Sequence, residues 1–261
     1  MLFLIRKRVS ESAKKLCTTL GIRRNKLTKQ RIVVPKGTTH VINWGSTTLD
    51  FGVPLPRGVR IINRPEAVAT AVNKLAAFRK WKEEGVSIPP FWTRGADVVR
   101  TGDDIILCRT LLSASQGAGI TVARADVALI DAPLYVKYLR KKAEYRMHVL
   151  NGRVIFTQQK RRKQEAGPGN ADQQLIRNHD NGWVFAINNI TFTSDAEKRA
   201  AEAEAIKAVT SLGLDFGAVD LIVPKARNAK PVILEVNTAP GIESPTLLDA
   251  YTRAFREVAR E

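Results

Sequence analysis

Three oxygen-bearing side chains towards the C-terminal end could hold a metal ion. Asp220 lies within the run Gly217 to Val223, and Glu235 lies within the run Pro231 to Val236, with Asn237 directly after it in Leu-Glu-Val-Asn. Both runs are rich in β-branched residues and read as strands. Side chains alternate across a strand with a period of two, so Glu235 and Asn237 share a face. An acid set among Val, Ile and Leu is costly unless a positive group pairs with it. Hard oxygen donors suit Mg²⁺, which keeps several waters and completes its shell with nucleotide phosphates. The competing reading is that these acids are solvated or salt-bridged at strand ends. No other reactive set assembles: His40, His148 and His179 are scattered, and Cys17 and Cys108 have neither metal nor redox spacing. There is no Ser/His/Asp or Cys/His arrangement.

The elements that must position these residues can be read from patterning. Arg31–Val34, His40–Trp44, Val59–Ile62, Ile105–Arg109, Val127–Ile130 and Leu134–Tyr138 are short apolar runs between turn residues. Val68, Val72, Leu75 and Phe78 recur at helical spacing, which predicts one amphipathic helix from Glu66 to Glu84, opened by Pro65 and closed by Gly85. Tyr145–Leu150 and Arg153–Gln159 flank Asn151-Gly152, a strong type I′ hairpin signal. Ser194 with Glu197 three residues on is a capping-box pattern for a helix ending before Gly213, and a last helix begins near Ser244-Pro245.

A net charge of +17 over 261 residues is unusual, and it is not evenly spread. Residues 1–31 hold ten Lys/Arg against one acid, and residues 137–163 hold ten more against one acid. Residues 1–31 lack clear periodicity beyond a short basic helix around 9–20. They read as an arm whose charge is either a solvated surface or a contact for nucleic acid or another polyanion. The opening apolar stretch is too short for a signal-peptide core or a membrane span, so a cytoplasmic protein without membrane contact is expected.

The strings Leu212-Gly-Leu-Asp-Phe-Gly-Ala-Val-Asp-Leu-Ile222 and Val232-Ile-Leu-Glu-Val-Asn-Thr-Ala-Pro-Gly-Ile242 resemble the C-terminal signature of the ATP-grasp superfamily, nearest to its glutathione-synthetase-like and ribosomal-protein-glutamate-ligase-like branches. The resemblance spans roughly residues 60–258. It implies an α+β fold in which two α/β subdomains clamp ATP, over residues 65–140 and 141–261. A reduced N-terminal α/β unit at 32–64 and the arm at 1–31 would precede them. It implies ATP and Mg²⁺, or Mn²⁺ in its place, held by Asp220, Glu235 and Asn237. Lys74 matches the family's Asp-Lys position with Asn73 in place of Asp, and Arg109 matches a basic strand residue on the ATP phosphates that is more often Lys. The small-residue loop over the phosphates falls at Ser115, Gln116, Gly117 and Gly119, and the adenine hinge at Lys137, Tyr138 and Leu139. Glu144-Tyr-Arg146 resembles the Asp-x-Arg element, which makes Arg146 the clamp on a carboxylate or acyl phosphate. Lys160, or its neighbour Arg161, would contact the γ-phosphate, and Arg177 and Asn178 with Gly182 match the stretch that precedes the metal strands.

The function so implied is ADP-forming ligation. ATP converts a carboxylate into an acyl phosphate, and an amine from an amino acid, peptide or protein attacks it to give an amide. Two other readings use the same residues: an ATP-binding module whose basic arm engages nucleic acid or an acidic partner, and a kinase that stops at the phosphorylated product.

Overall fold

The computed structural model describes residues 1–6, 9–26, 31–113, 118–166, 175–226 and 229–260. The chain opens with a parallel sheet. Strands β1 (Leu2–Arg6), β2 (Arg24–Lys26), β3 (His40–Trp44) and β4 (Arg60–Ile62) stand in the order β2-β1-β3-β4, and helix α1 (Glu11–Leu20) links the first two. Residues 1–31 are therefore not an arm, and the N-terminal α/β unit is not confined to 32–64. Leu2, Phe3, Leu4 and Ile5 are all buried. The reason is topological: a parallel strand covered on both faces is a continuous apolar run rather than an alternating one. The helix starts at Ser10, whose side chain accepts from the Ala13 amide, and stops at Gly21 in the left-handed region. Its Ala13, Leu16 and Cys17 pack with Leu247, Tyr251 and Phe255 of the last helix, α5 (Pro245–Val258).

The expected single helix over 66–84 is two, α2 (Pro65–Val72) and α3 (Lys74–Glu83). Asn73 stands between them in extended backbone, and its side chain accepts from the Ala76 amide to cap the second. Next comes an antiparallel sheet of β5 (Phe91–Trp92), β6 (Ile106–Arg109), β7 (Ile120–Ala123) and β8 (Leu134–Lys137), in the order β5-β8-β6-β7. Segments 31–34 and 127–130 carry no strand. The third sheet holds β9 (Lys141–Leu150), β10 (Arg153–Arg162), β11 (Trp183–Ala186), β12 (Phe216–Pro224) and β13 (Val232–Asn237), all antiparallel in the order β11-β10-β9-β12-β13. Asn151 and Gly152 at the β9–β10 turn both have positive φ, 50° and 71°, as a type I′ turn requires. Helix α4 (Asp195–Ser211) covers one face of this sheet with Ala201, Ala205, Ala208 and Val209, capped by the Ser194 hydroxyl.

An asparagine clasp joins the N-terminal sheet to β12. Asn63 is fully buried at φ 63°; its Oδ1 accepts from the Asp215 and Phe216 amides at 2.8 and 3.0 Å, and its Nδ2 donates to the Phe216 carbonyl at 2.9 Å. Asn43 Nδ2 donates to the Asn63 carbonyl at 2.9 Å, and the Asp215 carboxylate accepts from the Asn63 amide and from Arg60. Asn63→Leu leaves several buried backbone groups without partners, and we expect it to cost about 3 kcal/mol in chemical denaturation.

Candidate active site

Strand register lays out the site. Arg146 of β9, Asp220 of β12 and Glu235 of β13 are direct cross-strand partners, so the three side chains form one row on one face of the sheet. Asn237 follows Glu235 on that face. The Arg146 guanidinium grips Asp220 with two bonds, Nε to Oδ1 at 2.6 Å and Nη2 to Oδ2 at 2.8 Å. Lys74, the first residue of α3, reaches across from the other subdomain and places Nζ 3.2 Å from Glu235 Oε2. The break at Asn73 starts α3 at that point. Burial pushes the Asp220 carboxyl above its ordinary range, with Arg146 opposing. Burial acts on Glu235 in the same sense, but Lys74 and Arg146 outweigh it and hold that carboxyl below its usual value.

These groups line a cleft of 1040 Å³ together with Arg109, Lys160, Arg177 and Asn178. Nine of the predicted residues thus meet in one cavity: four catalytic candidates, two phosphate contacts and the three metal candidates. Arg109, at the end of β6, is half-buried; desolvation lowers its pKa while Glu235 opposes. Among the described residues its Nε has no hydrogen-bond partner, and neither has Nε of Arg177. Buried cationic donors left open in a cleft suit a multiply charged anion. Asn178 lines the cleft while its Oδ1 accepts from the Asn181 amide at 2.9 Å, which shapes the loop before β11.

The remaining candidates sit elsewhere. Ser115, Gln116 and Gly117 lie outside the described residues. Gly119 has φ 72°, and its carbonyl accepts from the Thr110 amide at 2.9 Å, closing the β6–β7 turn. Lys137, Tyr138 and Leu139 do not line the cleft. The Lys137 ammonium is taken by Asp104 at 2.7 Å. The Lys137 and Tyr138 amides donate to the Pro90 and Ile105 carbonyls at 2.9 and 2.8 Å.

Residue-by-residue reading missed the centre of the cationic wall. Glu144 is buried, and its carboxylate lies 3.1 Å from Lys141, 3.5 Å from Lys160 and 3.7 Å from Arg177. The signal was present, since Glu144 precedes Arg146 by two on one strand. Also missed were two aromatic rings of β11: Phe185 lies under Arg146 and Lys160 at 4.0 and 4.3 Å, and Trp183 under Arg177 at 4.3 Å.

As a test of fit for a metal, Asp220, Glu235 and Asn237 offer two carboxylates and an amide. Asn237 Nδ2 is buried without an acceptor among the described residues, and turning the amide presents its oxygen there instead. This all-oxygen set fits Mg²⁺, with the rest of the shell left to phosphate and water. Among the described residues no group of three or more His, Cys, Asp or Glu could hold a metal unaided.

No protein-family model matches the chain. A relative from Shewanella baltica named "Probable alpha-L-glutamate ligase 2" is 27% identical over 229 residues, covering 81% of this chain and 69% of the relative. Among solved structures, a RimK domain ATP-grasp protein from Sphaerobacter thermophilus superposes with a TM-score of 0.61 at 14% identity, covering 99% of this chain and 98% of that one. The ATP-grasp ligase PsnB, solved with a precursor variant, Mg and ADP, gives 0.61 at 12% identity over 97% and 98%. The chain has the ATP-grasp fold. The ATP-grasp arrangement explains why Lys74 and Arg109 come from one subdomain and Arg146, Asp220 and Glu235 from the other. The cleft is the space between two lobes. No helix among the described residues is long and apolar enough to cross a membrane.

His148 lies beside this ATP-grasp cleft but not in it. It is fully buried, 3.0 Å from the Tyr251 hydroxyl and 2.9 Å from Gln158 Oε1, and burial lowers its pKa to about 4. The unfolded chain therefore takes up a proton that the folded chain refuses. His148's contribution is intact above an unfolded pKa near 6.5 and is lost as pH falls towards about 4, by about 3 kcal/mol in all. Denaturation midpoints measured across that window should fall with pH, and His148→Gln should flatten the fall.

Proposed function

We propose that the protein is an ADP-forming carboxylate–amine ligase working through an acyl phosphate. The observation that carries this reading is the cross-strand row Arg146–Asp220–Glu235 facing Lys74 and Arg109 across an ATP-grasp cleft. A relative named as a glutamate ligase agrees with it. A carboxylate is a poor acyl donor, because the oxygen to be displaced is a poor leaving group. Phosphorylation cures that, and phosphoryl transfer needs positioning and charge neutralisation more than a protein nucleophile.

In this chain Asp220, Glu235 and Asn237 would hold Mg²⁺, whose chemistry there is to offset charge on the polyphosphate. Lys74 and Arg109 would take the nucleotide phosphates. Arg146 would fix the acceptor carboxylate, and Lys160 would follow the phosphoryl group as it moves. The same cations would then stabilise the oxyanion formed when the amine attacks. Leu139, whose amide has no backbone acceptor among the described residues, would be the hinge donor to adenine. Such an ATP-consuming reaction would suit the cytoplasm.

The test is ADP and phosphate release from the purified protein with Mg-ATP and pooled amino acids and peptides, with the amine present or withheld. Release that depends on the pool and yields an amide supports the reading. Phosphorylated product that survives added amine would make it a kinase, and AMP with pyrophosphate would overturn the acyl-phosphate route.

A further inference from the structure

From the edge of the five-stranded sheet we infer that the carboxylate substrate is an extended acidic peptide, docked as an added antiparallel strand along β11. This rests on the ligase reading above. Among the described residues strand β11 bonds only to β10, with Lys160 opposite Phe185 and Arg161 opposite Val184. Just beyond it, the Lys163 amide donates to the Gly182 carbonyl at 2.8 Å. Bonded and non-bonded pairs alternate in an antiparallel ladder, so Arg161–Val184 is a bonded pair and Lys160–Phe185 is not. The Phe185 N–H and C=O therefore point away from β10, and among the described residues neither they nor the Ile187 N–H two residues on has a hydrogen-bond partner. The Trp183 amide points the same way and is already used, donating to the Asn178 carbonyl at 3.0 Å.

This open edge borders the cleft. Consecutive strand residues point to opposite faces, yet Trp183, Val184, Phe185 and Ala186 all line the cavity, so it must run around the strand's free margin. On the Phe185 side stand Arg146 and Lys160, each over its ring. The cleft lining as a whole carries seven Lys/Arg against four Asp/Glu. Three of those acids, Glu144, Asp220 and Glu235, are already ion-paired. The excess is positive. A strand laid against Phe185 would turn every second side chain towards these cations, so it is acids at alternate positions that fit. Single-stranded nucleic acid would satisfy the cations but has no use for an outward row of peptide N–H and C=O groups.

The test uses the full chain and fluorescein-labelled, end-blocked octapeptides of alternating Glu and Thr, with affinity read by anisotropy. Glu facing the cations puts the Glu amides on the edge. Methylating the Glu nitrogens is expected to weaken binding about ten-fold, and methylating the Thr nitrogens to change it by less than about two-fold. Equal effects of the two methylations would overturn the inference. So would no binding of the unmodified peptide, or equal affinity for a single-stranded oligonucleotide of the same charge. ADP release with small carboxylic acids separates the two claims. Turnover without peptide binding removes the docking edge and keeps the ligase, whereas alternating sensitivity without any turnover does the reverse.

Discussion

Glu235→Gln is expected to reduce Mg-dependent ADP release by about 10²–10³-fold, because it withdraws a full negative charge from the place proposed to hold metal and phosphates together. The substitution keeps the shape of the side chain. It also leaves Lys74, only 13% exposed, without its carboxylate at 3.2 Å, and that should cost about 1–2 kcal/mol of stability. Denaturation midpoints and Mg²⁺ titrations of turnover read the two effects separately. A variant with normal turnover at ordinary Mg²⁺ would remove Glu235 from the metal set.

Arg146→Met tests the other half of the row, and here stability and activity should part. Asp220 has 9% of its side chain exposed and owes its compensation to the bidentate guanidinium. Leaving that charge buried and unpaired is expected to cost about 3–5 kcal/mol. Turnover should fall by about 10²-fold or more, since the clamp proposed for the acceptor carboxylate is gone. Adding Asp220→Asn removes the stranded charge, so the double variant should regain most of the stability. It should regain none of the turnover, because both the proposed clamp and a proposed metal ligand are then missing. Recovery of both would mean that the pair is only a structural brace.

Much of this site was legible because strand periodicity is a strong rule. Glu235 and Asn237, and Glu144 and Arg146, are pairs at spacing two, and the hairpin that presents Arg146 is announced by Asn151-Gly152. What pairing alone decides was not legible. Nothing local states that β12 lies between β9 and β13, which turns three distant residues into one row. The N-terminal sheet was misread because Leu2–Ile5 is a short apolar run followed by basic residues, and a run of that kind carries no period to distinguish a buried strand from a tail. The break at Asn73 was hidden because apolar spacing continues through it. Only the side chain's hydrogen bond to Ala76 reveals a restart.

The Arg146–Asp220 bond spans 74 residues of chain. Closing so long a loop carries an entropy cost, and contacts of such separation are the slow ones in assembly. The β9–β10 hairpin is local by comparison and can form without help from afar. The row of charges therefore comes into being only when β12 seats beside β9, a late event in the biography of each molecule.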